Sequence, residues 1–194
     1  MKILAIEQSI LTDTESALQD LVCYPDSSLL RNNDNFYIPN FSKHVSASIG
    51  VYVCIHKIGK HIHYKYIHRY YNACGIAINF IASDYKELLQ KQGLQTDTAR
   101  GFDHSFAISS PIQIAELPFA DCNFSCTYNS QTYTIQGQEI EAHLHNSFAR
   151  ISEFYTIKIG DIFFLSLWHI PIVTIGDIFE CHIISKHVLH CHVQ

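Results

Sequence analysis

At 194 residues, with 47% hydrophobic and only 16% charged positions, the chain is too apolar to be disordered and long enough to bury one sizeable core, so a single domain over residues 1–194 is expected. A net charge of −5 with Lys and Arg scattered excludes the basic stripe that neutralises phosphates, and nucleic acid is not an expected partner. No run of about 18 apolar residues occurs, and Met1 to Ile6 is followed at once by Glu7, so neither a membrane span nor a signal peptide is read and a cytoplasmic location is expected.

Lys2 to Ile6 reads as a short strand, and Thr12 to Leu21, capped by Asp13 or Thr12, as a short helix. Pro25 to Pro39, rich in Asp, Ser and Asn, reads as a loop. Val45, Ile49, Val51, Val53 and Ile55 keep period two and predict a strand over Val45 to Ile58, with a second alternating run at Gly59 to His63. Tyr64 to Ala73 reads as a short helix and Gly75 to Ala82 as a buried strand. Asp84 to Gln92 follows as a helix that Gly93 ends. The aromatic residues Tyr64, Tyr66, Tyr70, Tyr71 and Phe80 either line a pocket or pack a helix on the sheet, and packing explains these spacings more often.

Beyond Pro118 the pattern turns β-rich. Asn123 to Tyr128 and Gln131 to Ile135 flank Asn129-Ser130, a hairpin signal because Asn tolerates positive φ. Gln138 to His145, Ile162 to Ile170 and Ile178 to Ile184 read as further strands, and Phe148 to Phe154 as a helix. Lys158-Ile159-Gly160-Asp161 and Thr174-Ile175-Gly176-Asp177 are two similar turns, each entering an apolar strand.

The seven cysteines are odd in number and form no CxxC pair, which predicts reduced and mostly buried thiols. Cys54 or Cys74 beside His56 or His68 would be the candidate nucleophile, against which their apolar context speaks. Thirteen histidines include the i, i+2 pairs His61/His63, His143/His145 and His190/His192. Each pair would share one face of a strand, and two pairs brought together, such as His61, His63, His143 and His145, would bind zinc or another transition metal. The plainer alternative is that they stand singly on surfaces and contacts.

Several segments, taken in order, resemble landmarks of the fumarylacetoacetate hydrolase family. Pro25-Asp26-Ser27-Ser28-Leu29-Leu30 resembles its "KPxSAL" segment, and Ile55 to His61 the strand and turn after its "ExE" element. Ala77 to Asp84 resembles "NDxTARD", Arg100-Gly101-Phe102-Asp103 resembles "KxFD", and Tyr155 to Asp161 resembles the segment before "GTPxGV". The resemblance implies an α+β, β-rich fold: a mixed β-sandwich roll of that family's C-terminal domain type with a few short helices. It also implies a homodimer.

Members of that family hold Mg, Mn or Ca on two Glu and one Asp, hard oxygen donors suited to a chelating 2-oxo acid or acylpyruvate. The resemblance puts those three positions at Ser48, Gly50 and Asn79, and no Glu or Asp lies between Lys43 and Lys60. The general-base His and its Glu in "NYxxHxxE" fall on Asp13 and Ser16. The other substrate-contacting positions fall on Tyr24, Lys86 and Arg100, and the Thr of "GTPxG" near Leu167.

The pattern keeps scaffold residues and loses polar site residues, which implies a catalytically impaired paralogue that acts as a binding or regulatory protein. No cofactor is expected; a 2-oxo acid ligand and a homodimer, or a heterodimer with an active paralogue, are the expected partners. The alternatives are a divalent-metal-dependent hydrolase, isomerase or decarboxylase of 2-oxo acids using Asp13, Glu15, Asp84 or Glu87, and a transition-metal or small-molecule sensor built on the histidine pairs.

Overall fold

The structure, a computed structural model, describes residues 1–7 and 21–194. Twelve strands and three α-helices form two sheets among these residues. In the larger sheet β2 (Leu21–Pro25), β1 (Lys2–Ile6), β10 (Ile162–Val173), β4 (Val45–Ile55), β5 (Tyr71–Ala82), β6 (Phe106–Ile108) and β3 (Leu29–Leu30) lie side by side, with β7 (Ile112–Gln113) also paired to β5. β12 (Lys186–His192), β11 (Ile178–Ile183), β8 (Asn123–Tyr128) and β9 (Gln131–Gln136) make the smaller sheet. The helices are α1 (Ser83–Lys91), α2 (Asp97–Arg100) and α3 (Gly137–Phe154). The chain therefore has the β-rich mixed roll that the sequence predicts.

Alternation along β4 assigns its two faces. Ala47, Ile49, Val51 and Val53 enter the main core, together with Ile76, Ile78 and Phe80 of β5, the inner faces of the smaller sheet, and α3. Phe80 meets Phe179 of β11 edge to face at 5.8 Å, and Phe148 of α3 lies 5.2 Å from Phe163 of β10. The opposite face holds a second cluster that includes Ile3, Ala5, Tyr24, Tyr52, Phe106 and Phe164. That cluster is enclosed because the sheet rolls up. Its edge strands β2 and β3 are joined by a single 3-10 turn at Asp26–Ser28, and Tyr24 and Phe106, near the two edges, come within 5.6 Å.

Local chemistry sets the turns. In both Ile-Gly-Asp turns the glycine has positive φ, 86° at Gly160 and 96° at Gly176. The Asp carboxylate then accepts the backbone N–H three residues earlier, at 2.8 Å from Lys158 and 2.8 Å from Thr174. Gly93 follows α1 with φ 69° and Asn129 turns the β8–β9 hairpin with φ 52°, as the sequence predicts.

Four expectations are corrected. Gln138 to His145 is helical, the first part of α3. Ile140, Leu144, Phe148 and Ile151 recur at the period of a helix and are all buried. The Glu139 carboxylate accepts the Gln136 backbone N–H at 2.9 Å and fixes the start of the helix. Gly59 to His63 is a turn carrying only an isolated bridge from Gly59 to Ile157, with His61 at φ 51°. Tyr64–Arg69 is a 3-10 helix and Tyr71 already belongs to β5. Pro25 to Pro39 contains β3 and a bridge from Phe36 to Val193. The helix expected at Thr12 to Leu21 lies outside the described residues apart from Leu21, which opens β2. No helix among the described residues is long and apolar enough to cross a membrane.

Candidate functional site

Some of the positions that the resemblance names line the inside of the roll. On β4 Ser48 faces Asn79 of β5 on one side and His169 of β10 on the other, while Gly50 lies between Ala77 and Ser166. A bulge in β10 between Ser166 and Trp168 makes this register. The extra residue, Leu167, is buried in the main core, and the strand resumes with His169 on the site side. Leu167 itself faces the main core, and the neighbouring Ser166 and His169 hold the places beside Gly50 and Ser48.

Into this space project Glu7, just past β1 on the same face as Ile3 and Ala5, Tyr24 of β2, and Arg100, the last residue of α2. Arg100 donates to Glu7 Oε2 at 2.6 Å, and the two side chains are only 12% and 8% exposed. The Tyr24 hydroxyl donates to Glu7 Oε1 and accepts from Asn79 Nδ2 at 2.7 Å. The same Asn79 nitrogen lies 3.4 Å from Glu7 Oε1. Burial first, and then the Glu7 carboxylate, push the Tyr24 phenol well above its ordinary pKa, so it stays protonated as donor. Among the described residues, the buried Asn79 Oδ1 and Arg100 Nε of this site have no hydrogen-bond partner.

At the edge of the site, His169 has its imidazole pKa held below the ordinary value, by partial burial first and by the Lys86 charge second, with Glu7 opposing. Lys86 on α1 is thus electrostatically within reach of the site. Asp13, Glu15 and Ser16 lie outside the described residues. Asp84 is occupied in holding α1 to the segment before β4: it accepts from Ser42 Oγ at 2.6 Å and from the Lys43 and Tyr85 backbone N–H groups, each at 2.8 Å. Although partial burial works to raise its pKa, these bonds hold it below the usual carboxylate value. Glu87 is exposed, 3.8 Å from Lys91 on the same helix.

Among the described residues, the groups at this site do not fit a hard divalent cation. Ser48 offers a hydroxyl and Asn79 an amide oxygen. Gly50 offers nothing and has no room for a side chain, since a Cβ there would lie 2.1 Å from the Leu165 carbonyl oxygen and 2.8 Å from the Phe164 ring. The one carboxylate brought to this space by the described residues, Glu7, is neutralised by a guanidinium at 2.6 Å, whose charge would also repel an incoming cation.

Of the three histidine pairs, only His190 and His192 share a strand, β12. His61 and His63 stand on a turn, where His63 Nδ1 accepts the Lys65 N–H at 3.4 Å. His143 and His145 are on α3, where residues two apart point in nearly opposite directions. His145 instead sits 2.8 Å from the Tyr71 hydroxyl, and burial followed by the His68 charge pushes its pKa down to about 4. Cys74 is buried with its Sγ 4.0 Å from Cys122 Sγ; all seven cysteines are free and five are buried.

Glu7 is the main site residue that sequence reasoning missed. Its only signal was an isolated acid closing an otherwise apolar strand.

No family model and no curated protein matches the sequence, whereas solved structures match its fold. A yeast fumarylacetoacetate hydrolase family protein superposes with a TM-score of 0.82 at 17% identity, covering 100% of this chain and 92% of that one. The fold is that of fumarylacetoacetate hydrolase family proteins. Fumarylpyruvate hydrolase from Pseudomonas aeruginosa, solved with Mn2+ and pyruvate, gives a TM-score of 0.80 at 13% identity over 99% of this chain and 88% of that one. The 5-carboxymethyl-2-hydroxymuconate delta-isomerase of Mycobacterium smegmatis gives 0.79 at 17% identity over 99% and 78%.

Proposed function

We propose that the chain is a member of the fumarylacetoacetate hydrolase family that has exchanged its cation site for an internal ion pair, and that it serves as a catalytically impaired binding or regulatory paralogue. The fold agreement along the chain and the ordered sequence landmarks support membership. The observation that carries the loss of chemistry is Glu7 locked between Arg100 and Tyr24 beside Asn79. A C–C hydrolase of this kind needs an electrophile for the developing enolate, and here a buried, charge-compensated pair stands in its space. Arg100 is the group suited to take the carboxylate of a 2-oxo acid, provided that carboxylate displaces Glu7. The protein would act as a homodimer or beside an active paralogue.

One observation favours a second reading, a divalent-metal-dependent hydrolase or isomerase. The buried Asn79 Oδ1 has no partner among the described residues, and such an atom in a site often awaits a ligand. That reading requires Glu7 to leave Arg100.

The deciding assay is hydrolysis of an acylpyruvate by the purified chain with Mg2+ or Mn2+. Rates at the uncatalysed background are expected. Turnover that scales with protein and disappears in the Asn79→Ala variant would establish the second reading instead.

A further inference from the structure

The exposed face of the smaller sheet carries a second constellation that the proposed function does not use. Glu180 on β11 pairs directly with His190 on β12, and His182 pairs with His187. Along β12, Val188, Leu189 and Cys191 are buried, and the outward side is left to His187, His190 and His192. In a regular strand His187 and His190, three residues apart, would point to opposite faces. The register shift between the Cys181 and His182 pairs absorbs Val188 as an extra residue and turns His187 to the same face as His190.

The result is a group of ligand atoms from Glu180, His187 and His190 that all lie within 4.8 Å of one another. His190 Nδ1 is 3.8 Å from Glu180 Oε1, and the His182 ring lies 5.0 Å from that of His187. The Asn33 side-chain oxygen accepts the His190 backbone N–H at 3.0 Å and ties the strand down at this point.

We propose that Glu180, His187 and His190 form a surface site for a borderline divalent transition-metal ion, Zn2+ being the type. Two imidazoles and a carboxylate are the donor set that such ions prefer over Mg2+ or Ca2+. Small rotamer changes bring three atoms already this close to the roughly 2.0–2.2 Å that zinc requires. Three protein ligands leave the fourth tetrahedral position open to water, to an added ligand or to a donor from another molecule. The site is on the other sheet from the Glu7–Arg100 pair, so it stands or falls independently of the function proposed above.

The test is calorimetric titration of Zn2+ into the metal-stripped full chain, repeated for Glu180→Gln, His187→Ala, His190→Ala and a His61→Ala/His63→Ala control, each first checked for an unchanged melting temperature. One equivalent of Zn2+ is expected, weakened at least about 10-fold by each of the three substitutions and unchanged in the control, the lower bound being the size of effects seen even for residues outside the ligand set. Co2+ in place of Zn2+ is expected to give tetrahedral d–d bands without a thiolate charge-transfer band. The proposal is overturned by no Zn2+ binding, by affinity that survives the His187→Ala/His190→Ala double variant, or by a thiolate band.

Discussion

Glu7 and Arg100, 93 residues apart in sequence, form a buried ion pair at 2.6 Å in the interior of the rolled sheet. Removing one partner of such a pair strands the other charge, whereas replacing both with apolar groups relieves the desolvation cost. Glu7→Met and Arg100→Met are therefore each expected to lower stability by about 3 kcal/mol, and the Glu7→Met/Arg100→Met double variant to recover most of that loss. Urea unfolding of the two single variants and the double variant measures the coupling. Additive losses would show that the pair is not an energetic unit.

Gly50 is held by lack of space. The Leu165 carbonyl and the Phe164 ring occupy the volume of its Cβ, so Gly50→Ala should cost about 2–3 kcal/mol through displacement of β10. Gly50→Glu, the substitution that would bring a family-type carboxylate to this position, should fail to fold rather than create a metal site. Circular dichroism melts of both variants test this.

His145 predicts a pH dependence. Its folded pKa, about 4, lies below the ordinary 6.5, so the unfolded chain binds the proton more readily. The contribution to stability is thus complete above pH 6.5 and is lost as pH falls from there toward 4. After discounting for partial exposure, the loss is on the order of 1 kcal/mol. Stability measured across that range should fall less steeply in His145→Gln than in the wild type.

Phe148 anchors α3 to the large sheet, fully buried against Phe163. Phe148→Ala should cost about 3–5 kcal/mol, the usual range for an aromatic truncation that leaves a cavity. A midpoint shift in denaturant with unchanged slope would confirm it.

The parts of the fold legible in the sequence are those fixed by neighbouring residues. The alternation of Val51, Val53 and Ile55 marked β4, Gly93 marked the end of α1, and Asn129 marked the hairpin. The start of α3 was misread because Ile140, Ala142 and Leu144 satisfy a period of two, while Phe148 and Ile151, which establish the helical stripe, come later. Of the positions the resemblance named, Tyr24, Asn79 and Arg100 are drawn together by Glu7, a residue it did not name. Only folding brings a residue at the end of β1 to one at the end of α2. The β10 and β12 bulges, which select His169 and His187, are insertions of one residue that a periodic pattern does not reveal.

The most direct measurement is titration of Mg2+ into the metal-stripped protein, because Mg2+ seeks carboxylate oxygen and has little affinity for the histidine cluster of the smaller sheet. No heat of binding up to millimolar Mg2+ is the predicted result. Micromolar binding that is lost in Asn79→Ala would contradict the account and return the interior of the roll to metal chemistry.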